Sequence, residues 1–127
     1  MTSGPRPADD LPILEFDTAD RLRAWLEDHH TNSKGIWLRI YHKGSGIPTV
    51  SFEQVLDEGL CFGWSESTRR KYDAVSYLQK FTPRRTVGTQ STRNLARAQV
   101  LIKQGKMKHS GLAALGIDQT SSDIPKA

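Results

Sequence analysis

The feature that most constrains the fold is a repeated change in the spacing of apolar residues. Residues 19–29 and 52–60 place them at helical spacing, whereas residues 36–41 and 74–82 alternate them as strands do. A third helical pattern follows at residues 91–104. A short chain that mixes the two periods predicts an α+β domain. We expect one small antiparallel sheet of three to four strands, flanked by three to four helices.

Local capping residues indicate where these helices begin. A cap is available at residues 17–18, and Ser51 forms a capping box with Gln54 before the second helix. A hydroxyl side chain at residues 91–92 caps the third. The second helix is expected to end near Leu60, because the next residue, Cys61, would lie on the acidic face if the helix continued.

The tryptophans and the single cysteine are candidates for the core. Trp25, Trp37 and Trp64 are expected to contribute to one core. Cys61 stands between two apolar residues at the end of a predicted helix, so we expect an inert, buried thiol. One cysteine makes no internal disulfide, which favours a reducing compartment.

The ends of the chain differ in composition from the middle. Residues 1–12 contain three prolines and residues 119–127 are polar, so both are expected to be disordered tails around one domain at residues 13–118. The longest uncharged apolar-rich run, residues 59–65, is far shorter than a membrane span. No apolar signal core follows the first methionine. A cytoplasmic protein without a membrane span is expected.

Charge is distributed unevenly along the sequence. Residues 1–68 carry a net charge of −5, residues 69–108 carry +10, and residues 109–127 carry −1. Part of this division is expected to be internal pairing between the acidic and basic segments. The remainder would form a positive surface that attracts anions.

The strongest local combination of residues lies between the last predicted strand and the third helix. Two arginines and a glycine-containing loop precede the helix start, where free N–H groups and the helix dipole favour an anion. In the alternative interpretation, Ser91 only caps the helix, and the arginines are solvated or pair with the acidic half of the chain. The predicted anion cradle consists of Arg84, Arg85, Ser91, Thr92, Arg93 and Asn94.

A second set of residues is a possible pocket. Glu66 follows a tryptophan in a predicted strand and is available to pair with a nearby arginine. Acidic residues 53, 57 and 58 instead have the spacing of an ordinary solvated helix face. The possible pocket consists of Cys61, Trp64, Glu66, Arg70 and Phe81.

Metal and cofactor motifs are not evident in the sequence. His29 and His30 are adjacent, so they leave a helix in different directions, and the other two histidines have no ligand at metal spacing. The run Gly44-Ser45-Gly46 lacks the lysine and serine of a phosphate-binding loop. We therefore expect neither a metal nor a cofactor, and assign no catalytic residue.

Several short blocks occur in an order seen in one bacterial family: Leu60-Cys61-Phe62-Gly63-Trp64, residues 77–85, Ser91-Thr92-Arg93-Asn94, residues 101–107 and Gly111-Leu112-Ala113-Ala114. The sequence resembles the YdeI/OmpD-associated, or bacteriocin-protection, family over residues 13–116. It departs from that family at Ser65-Glu66, where Ile-Asp is usual, and at Gln90-Ser91, where Trp-Ser is usual. The resemblance implies a small bacterial protein linked to tolerance of bacteriocins and cationic antimicrobial peptides, without a catalytic mechanism.

Three functions remain open at this point. The first is a non-enzymatic binding protein whose positive face takes an anionic small molecule, an acidic protein or a lipid headgroup. That face would repel a cationic peptide, which could bind only the acidic half. The second is a nucleic-acid module using residues 69–108, where Tyr72, Tyr77 and Phe81 stand among basic residues. The third is an enzyme using Glu66, Cys61 and Arg84, which has the least support because no base is visibly paired with a nucleophile.

Overall fold

One four-stranded sheet with four helices forms the described part of the protein. The computed structural model describes residues 11–88 and 91–117. In chain order the elements are β1 (Ile13–Leu14), α1 (Ala19–His29), β2 (Ile36–Tyr41), α2 (Phe52–Phe62), β3 (Trp64–Lys71), β4 (Ser76–Pro83), α3 (Thr92–Lys103) and α4 (His109–Leu115). The strand order in the sheet is β1-β2-β4-β3. The predicted single-domain α+β fold is confirmed.

The sheet is mixed rather than wholly antiparallel. Strand β4 pairs antiparallel with both β2 and β3, as expected. The short β1 pairs parallel with β2, with Ile13 opposite Trp37. The helix α1 lies between β1 and β2 in the chain, and such a crossover returns the second strand in the same direction as the first.

The two faces of the sheet carry separate apolar clusters. Ile36, Leu38 and Ile40 of β2 face the helices and join the main core with Phe81 of β4. Trp64 is also in this core, and its ring meets Trp25 edge-on at a centroid distance of 5.8 Å.

Trp37 belongs to the smaller cluster. It is 2% exposed and packs with Tyr72 and Leu78 on the opposite face of the sheet. The expectation that all three tryptophans share one core is therefore wrong for Trp37. Successive residues of a strand point to opposite faces, so Trp37 cannot join its neighbours Ile36 and Leu38.

The predicted helix starts are confirmed. Thr18 caps α1 through a bond from the Arg21 amide to its hydroxyl oxygen, 3.2 Å long. Ser51 and Gln54 make both bonds of the capping box. Ser91 caps α3 by accepting from the amide of Asn94.

Helix α2 extends two residues beyond the expected end at Leu60. It ends at Phe62, and Gly63 follows in the left-handed conformation with a φ of 78°. The face that was expected to reach solvent is covered by α4, since Gly111 has no side chain and its backbone lies against the carbonyls of Leu60 and Cys61. Cys61 is fully buried, as expected, and burial raises the pKa of its thiol.

The same packing buries one carboxylate that was expected to be solvated. Glu58 is 9% exposed, and Arg23 of α1 donates to its Oε1 at 2.9 Å. Burial raises the pKa of Glu58, while the charge and hydrogen bond of Arg23 act to lower it. The interpretation of Glu58 as part of an outer face is wrong, because the wheel of a single helix does not show which neighbouring helices cover it.

Part of the basic segment is paired with the acidic segment. Arg97 donates to both carboxylate oxygens of Asp57 at 2.8 and 2.7 Å, and Lys108 lies 3.2 Å from Glu27. Other cations of the segment have no carboxylate partner within 4 Å among the described residues; they are Arg69, Arg70, Lys71, Arg84, Arg85, Arg93, Lys103 and Lys106.

The predicted tails lie almost wholly outside the described residues. Residues 1–10 and 118–127 are not described, but Pro12 is, and its carbonyl accepts from the amide of Trp37 at 2.8 Å. Within residues 11–88 and 91–117, none of the helices has the length and apolar character needed to cross a membrane.

Candidate functional site

The predicted anion cradle is described only at its two ends, because residues 89 and 90 lie between them. Ser91 uses its hydroxyl oxygen as the cap of α3, and Thr92 and Arg93 are exposed. Arg85 is also exposed. Arg84 differs from them: it is half-buried, and its backbone amide donates to the Gly63 carbonyl at 2.9 Å.

Three residues of the possible pocket come together between α2, α3 and the sheet. Trp64, Glu66 and Phe81 meet there, together with Arg84 and Asn94 of the predicted cradle. The gap that they enclose does not admit even one water molecule. This convergence is therefore packed interior and not a ligand site.

The other two residues of that set lie elsewhere. Cys61 is buried in the main core, against α4. Arg70 lies opposite Leu78 on the outer face of the sheet, with its guanidinium carbon 5.7 Å from the centre of the Trp37 ring.

A β-bulge in β3 decides which arginine faces the helices. Glu66 pairs with Phe81 and Arg69 pairs with Gln79, so two residues of β3 oppose one of β4. Strict alternation from Glu66 would turn Arg70 inward. The extra residue turns Arg69 inward instead, toward a cavity beside the start of α2.

That cavity, here named the Arg69 cavity, has a volume of about 520 Å³. It lies between the loop after β2, the start of α2, and the inward side chains of β3 and β4. This volume is within the range of small-molecule sites. Its polar and aromatic lining includes Tyr41, His42, Lys43, Ser51, Phe52, Glu53, Arg69 and Tyr77.

The Arg69 guanidinium is positioned by two aromatic rings. Its carbon lies 4.3 Å from the centre of the Tyr77 ring and 5.1 Å from that of Phe52. A guanidinium stacked by its face keeps its in-plane N–H groups available, and these match a carboxylate or phosphate. Arg69 has no carboxylate partner among the described residues, so these donors are open to a ligand.

The neighbouring groups set the charge of the cavity. Burial raises the pKa of Tyr77, the charge of Arg69 lowers it, and the charge of Glu53 raises it. The phenol therefore stays protonated at neutral pH and is able to donate. The His42 ring packs against Tyr77 at a centroid distance of 5.5 Å, which closes one side of the aromatic wall.

The start of α2 adds a partial positive charge to the Arg69 cavity. Ser51 and Phe52 line it at the first turn of an 11-residue helix, where the dipole favours anions. Glu53 in the same turn opposes this effect, so the positive character depends mainly on Arg69 and Lys43.

Sequence reasoning missed this cavity. Gly44-Ser45-Gly46 was compared only with a phosphate-binding loop and set aside, yet this run lines the cavity. Tyr77 was considered only as part of a nucleic-acid surface. One available signal was the presence of glycines, a histidine and a lysine in the loop immediately before a well-capped helix.

The described residues contain no group of three or more histidine, cysteine or acidic side chains arranged to hold a metal ion.

A profile for one protein family, "Domain of unknown function (DUF8412)", matches residues 14–114. The chain belongs to the DUF8412 family. The matched range of this DUF8412 domain contains β3, β4 and α2, and so the whole Arg69 cavity. No curated protein and no solved structure matches the sequence.

Proposed function

We propose that this DUF8412 domain is a non-enzymatic binding protein for a small organic anion that carries a phosphate or carboxylate group. The proposal rests on the Arg69 cavity. Its single strongest support is the Arg69 guanidinium, which is stacked on Tyr77 and Phe52 and has no carboxylate partner among the described residues.

The lining of the cavity supports a molecule larger than a free inorganic ion. A volume of about 520 Å³ holds a small metabolite, and Tyr77, Phe52 and His42 offer apolar and aromatic contact beside the charged group. Lys43 and the hydroxyl groups of Ser45 and Tyr77 are available for further polar contacts. Such a combination of apolar wall and few polar groups is typical of small-molecule sites.

The biological setting is part of the proposal. The resemblance to the YdeI/OmpD-associated family implies a role in tolerance of bacteriocins and cationic antimicrobial peptides, and the single cysteine favours the cytoplasm. A cationic peptide is a poor direct ligand for a site built around Arg69, because like charges repel. We therefore propose that the domain acts in tolerance by binding an anionic metabolite.

The test is a titration followed by amide chemical shifts at low salt, with inorganic phosphate, citrate and adenosine monophosphate as probes. We expect the amides of residues 42–53 and 69–77 to respond first. Arg69→Gln is expected to weaken binding about five- to tenfold, which is just below the range for a charge-assisted hydrogen bond, because Arg69 is exposed.

The neighbouring arginine supplies a matched control. Arg70→Gln removes the same charge from the next residue, which lies over Trp37 on the opposite face. It is expected to change the affinity less than twofold. Equal effects of the two variants, or an absence of shifts at residues 42–53, would contradict the proposal.

A nucleic-acid module is the second candidate, and the exposed edge strand favours it. Strand β3 is at one edge of the sheet and carries Arg69, Arg70 and Lys71 in succession, all exposed. In that case a single-stranded oligonucleotide would bind with a steep salt dependence. Arg69→Gln and Arg70→Gln would then weaken its binding equally.

A further inference from the structure

The Arg69 cavity is lined by side chains of both charge signs that are not paired with one another. Lys43 and Arg69 supply two cations to the lining, and Glu53 supplies one carboxylate. None of the three has a partner of opposite charge within 4 Å in the part of the chain that the structure describes. Opposite charges that line one cavity without meeting leave room for a ligand that carries the complementary charges.

Glu53 acts on the same wall of the cavity as Arg69. The charge of Arg69 lowers the pKa of Tyr77 and the charge of Glu53 raises it, so both charged groups are close enough to influence one phenol. Glu53 is exposed in the first turn of α2, next to Phe52, whose ring is 5.1 Å from the guanidinium carbon of Arg69. A ligand with negative charge alone would be repelled by the Glu53 carboxylate as it approached Arg69.

The charge balance of the lining indicates how many groups of each sign the ligand carries. Besides Lys43, Arg69 and Glu53, the lining contains one other titratable nitrogen group, the imidazole of His42. A ligand with two acidic groups and one ammonium group complements the two cations and the carboxylate. Such a molecule has a net negative charge, so it is an organic anion of the kind that the proposed function requires.

We propose that the Arg69 cavity binds an acidic amino acid, which carries two carboxylates and one ammonium group. The inference rests on the proposed function, since it names the class of anion that the same site takes. One carboxylate of the ligand accepts from the guanidinium of Arg69, and the other accepts from the ammonium group of Lys43. The ammonium group of the ligand donates to the carboxylate of Glu53.

The test compares L-glutamate with glutarate, which has the same two carboxylates and no ammonium group, by amide chemical shifts at matched low ionic strength. L-Glutamate is expected to bind about fivefold more tightly, which is the upper part of the range for an exposed ion pair. Glutarate carries the larger net negative charge, so a site that attracted only negative charge would prefer glutarate. Equal affinities, or tighter binding of glutarate, would overturn the proposal.

Glu53→Gln is expected to abolish the preference for L-glutamate. The variant should weaken L-glutamate binding about three- to fivefold and leave glutarate binding unchanged or up to about twofold tighter, because the repulsion is removed. Both ligands are measured on the same variant, so a change in the stability of α2 affects the two affinities alike. Glu27→Gln is the matched control, since it removes the same charge from α1, outside the cavity, and should keep the preference. A preference that persists in Glu53→Gln would contradict the proposal.

Glutarate and citrate separate a failure of this inference from a failure of the proposed function. If Arg69→Gln weakens glutarate binding but L-glutamate is not preferred, the acidic amino acid is excluded and the site for organic anions remains. The same conclusion follows if citrate moves the amides of residues 42–53 and L-glutamate does not. If L-glutamate, glutarate, citrate, inorganic phosphate and adenosine monophosphate all leave these amides unmoved, both proposals are overturned.

Discussion

Replacement of Arg23 by methionine is expected to destabilise the fold by an amount that depends on pH. Arg23 donates to Glu58 Oε1 at 2.9 Å and to the Lys106 carbonyl at 2.7 Å, and it lies over the Phe62 ring. The side chains of Arg23 and Glu58 are only 22% and 11% exposed. Loss of one partner from a pair buried to this degree leaves an uncompensated charge, at a cost of about 2–4 kcal/mol near pH 7.

The sign of the pH dependence follows from Glu58. Its folded-state pKa is raised, first by burial, so its contribution to stability is complete below the unfolded pKa and decreases as the pH rises through the folded pKa. Arg23 opposes this rise in the pKa, and Arg23→Met removes that opposition. The variant should therefore lose about 1–2 kcal/mol at pH 4, from the hydrogen bonds of Arg23 to Glu58 and to the Lys106 carbonyl, and the larger amount at pH 7.

Urea unfolding followed by tryptophan fluorescence measures the loss in the free energy of unfolding at pH 4 and at pH 7. Arg21→Met is the matched control on the same helix: Arg21 pairs with Asp17 at a side-chain exposure of 73%, and its loss should cost less than about 0.5 kcal/mol. Arg23→Met combined with Glu58→Leu should recover stability at pH 7, because no buried charge remains. An equal loss at pH 4 and pH 7 in Arg23→Met would refute the reasoning.

Three further predictions concern single side chains. The Cys61 thiol, buried and with a raised pKa, should react slowly with a disulfide reagent in the native state and quickly in urea; fast native labelling would contradict its burial. Trp64→Ala should cost about 3–5 kcal/mol in urea unfolding, and a loss below about 1 kcal/mol would mean that its packing is dispensable. Arg69→Gln should raise the pKa of Tyr77, because the charge of Arg69 lowers it. The pKa is measured from the absorbance change of the phenol at alkaline pH, and the contribution of Tyr77 is the part that Tyr77→Phe abolishes. An unchanged pKa would show that the two groups do not interact.

The elements of the fold were predictable because their signals are local. The apolar alternation of β2 and the capping box of Ser51 and Gln54 each depend on a few consecutive residues. The pairing of β1 with β2 was not predictable in the same way, since two residues carry almost no pattern. The end of α2 depended on Gly111, about fifty residues away, whose backbone covers Leu60 and Cys61.

The candidate sites depend on contacts that no local pattern shows. Arg84 was expected to act with Ser91, but it is held at Gly63 and shares a groove with Ser110 of α4. Glu58 was placed on a solvated face, because the helical wheel of α2 contains no information about α1. Each of these relations is set by how elements pack, and the sequence indicates only which residues are available to take part.

The bulge in β3 leads to a last test of how the Arg69 cavity is built. Two residues, 67 and 68, stand between the paired positions Glu66 and Arg69, while only Lys80 stands between their partners. Deletion of Ser67 would leave a single residue of β3, Thr68, opposite Lys80. The pairs of Glu66 with Phe81 and of Arg69 with Gln79 would then keep their register, and Arg69 would still face the cavity. We therefore expect Arg69→Gln to raise the pKa of Tyr77 in the shortened chain as it does in the full one. If Arg70→Gln has this effect there instead, the register of the β3 and β4 pairs does not determine which arginine faces the cavity.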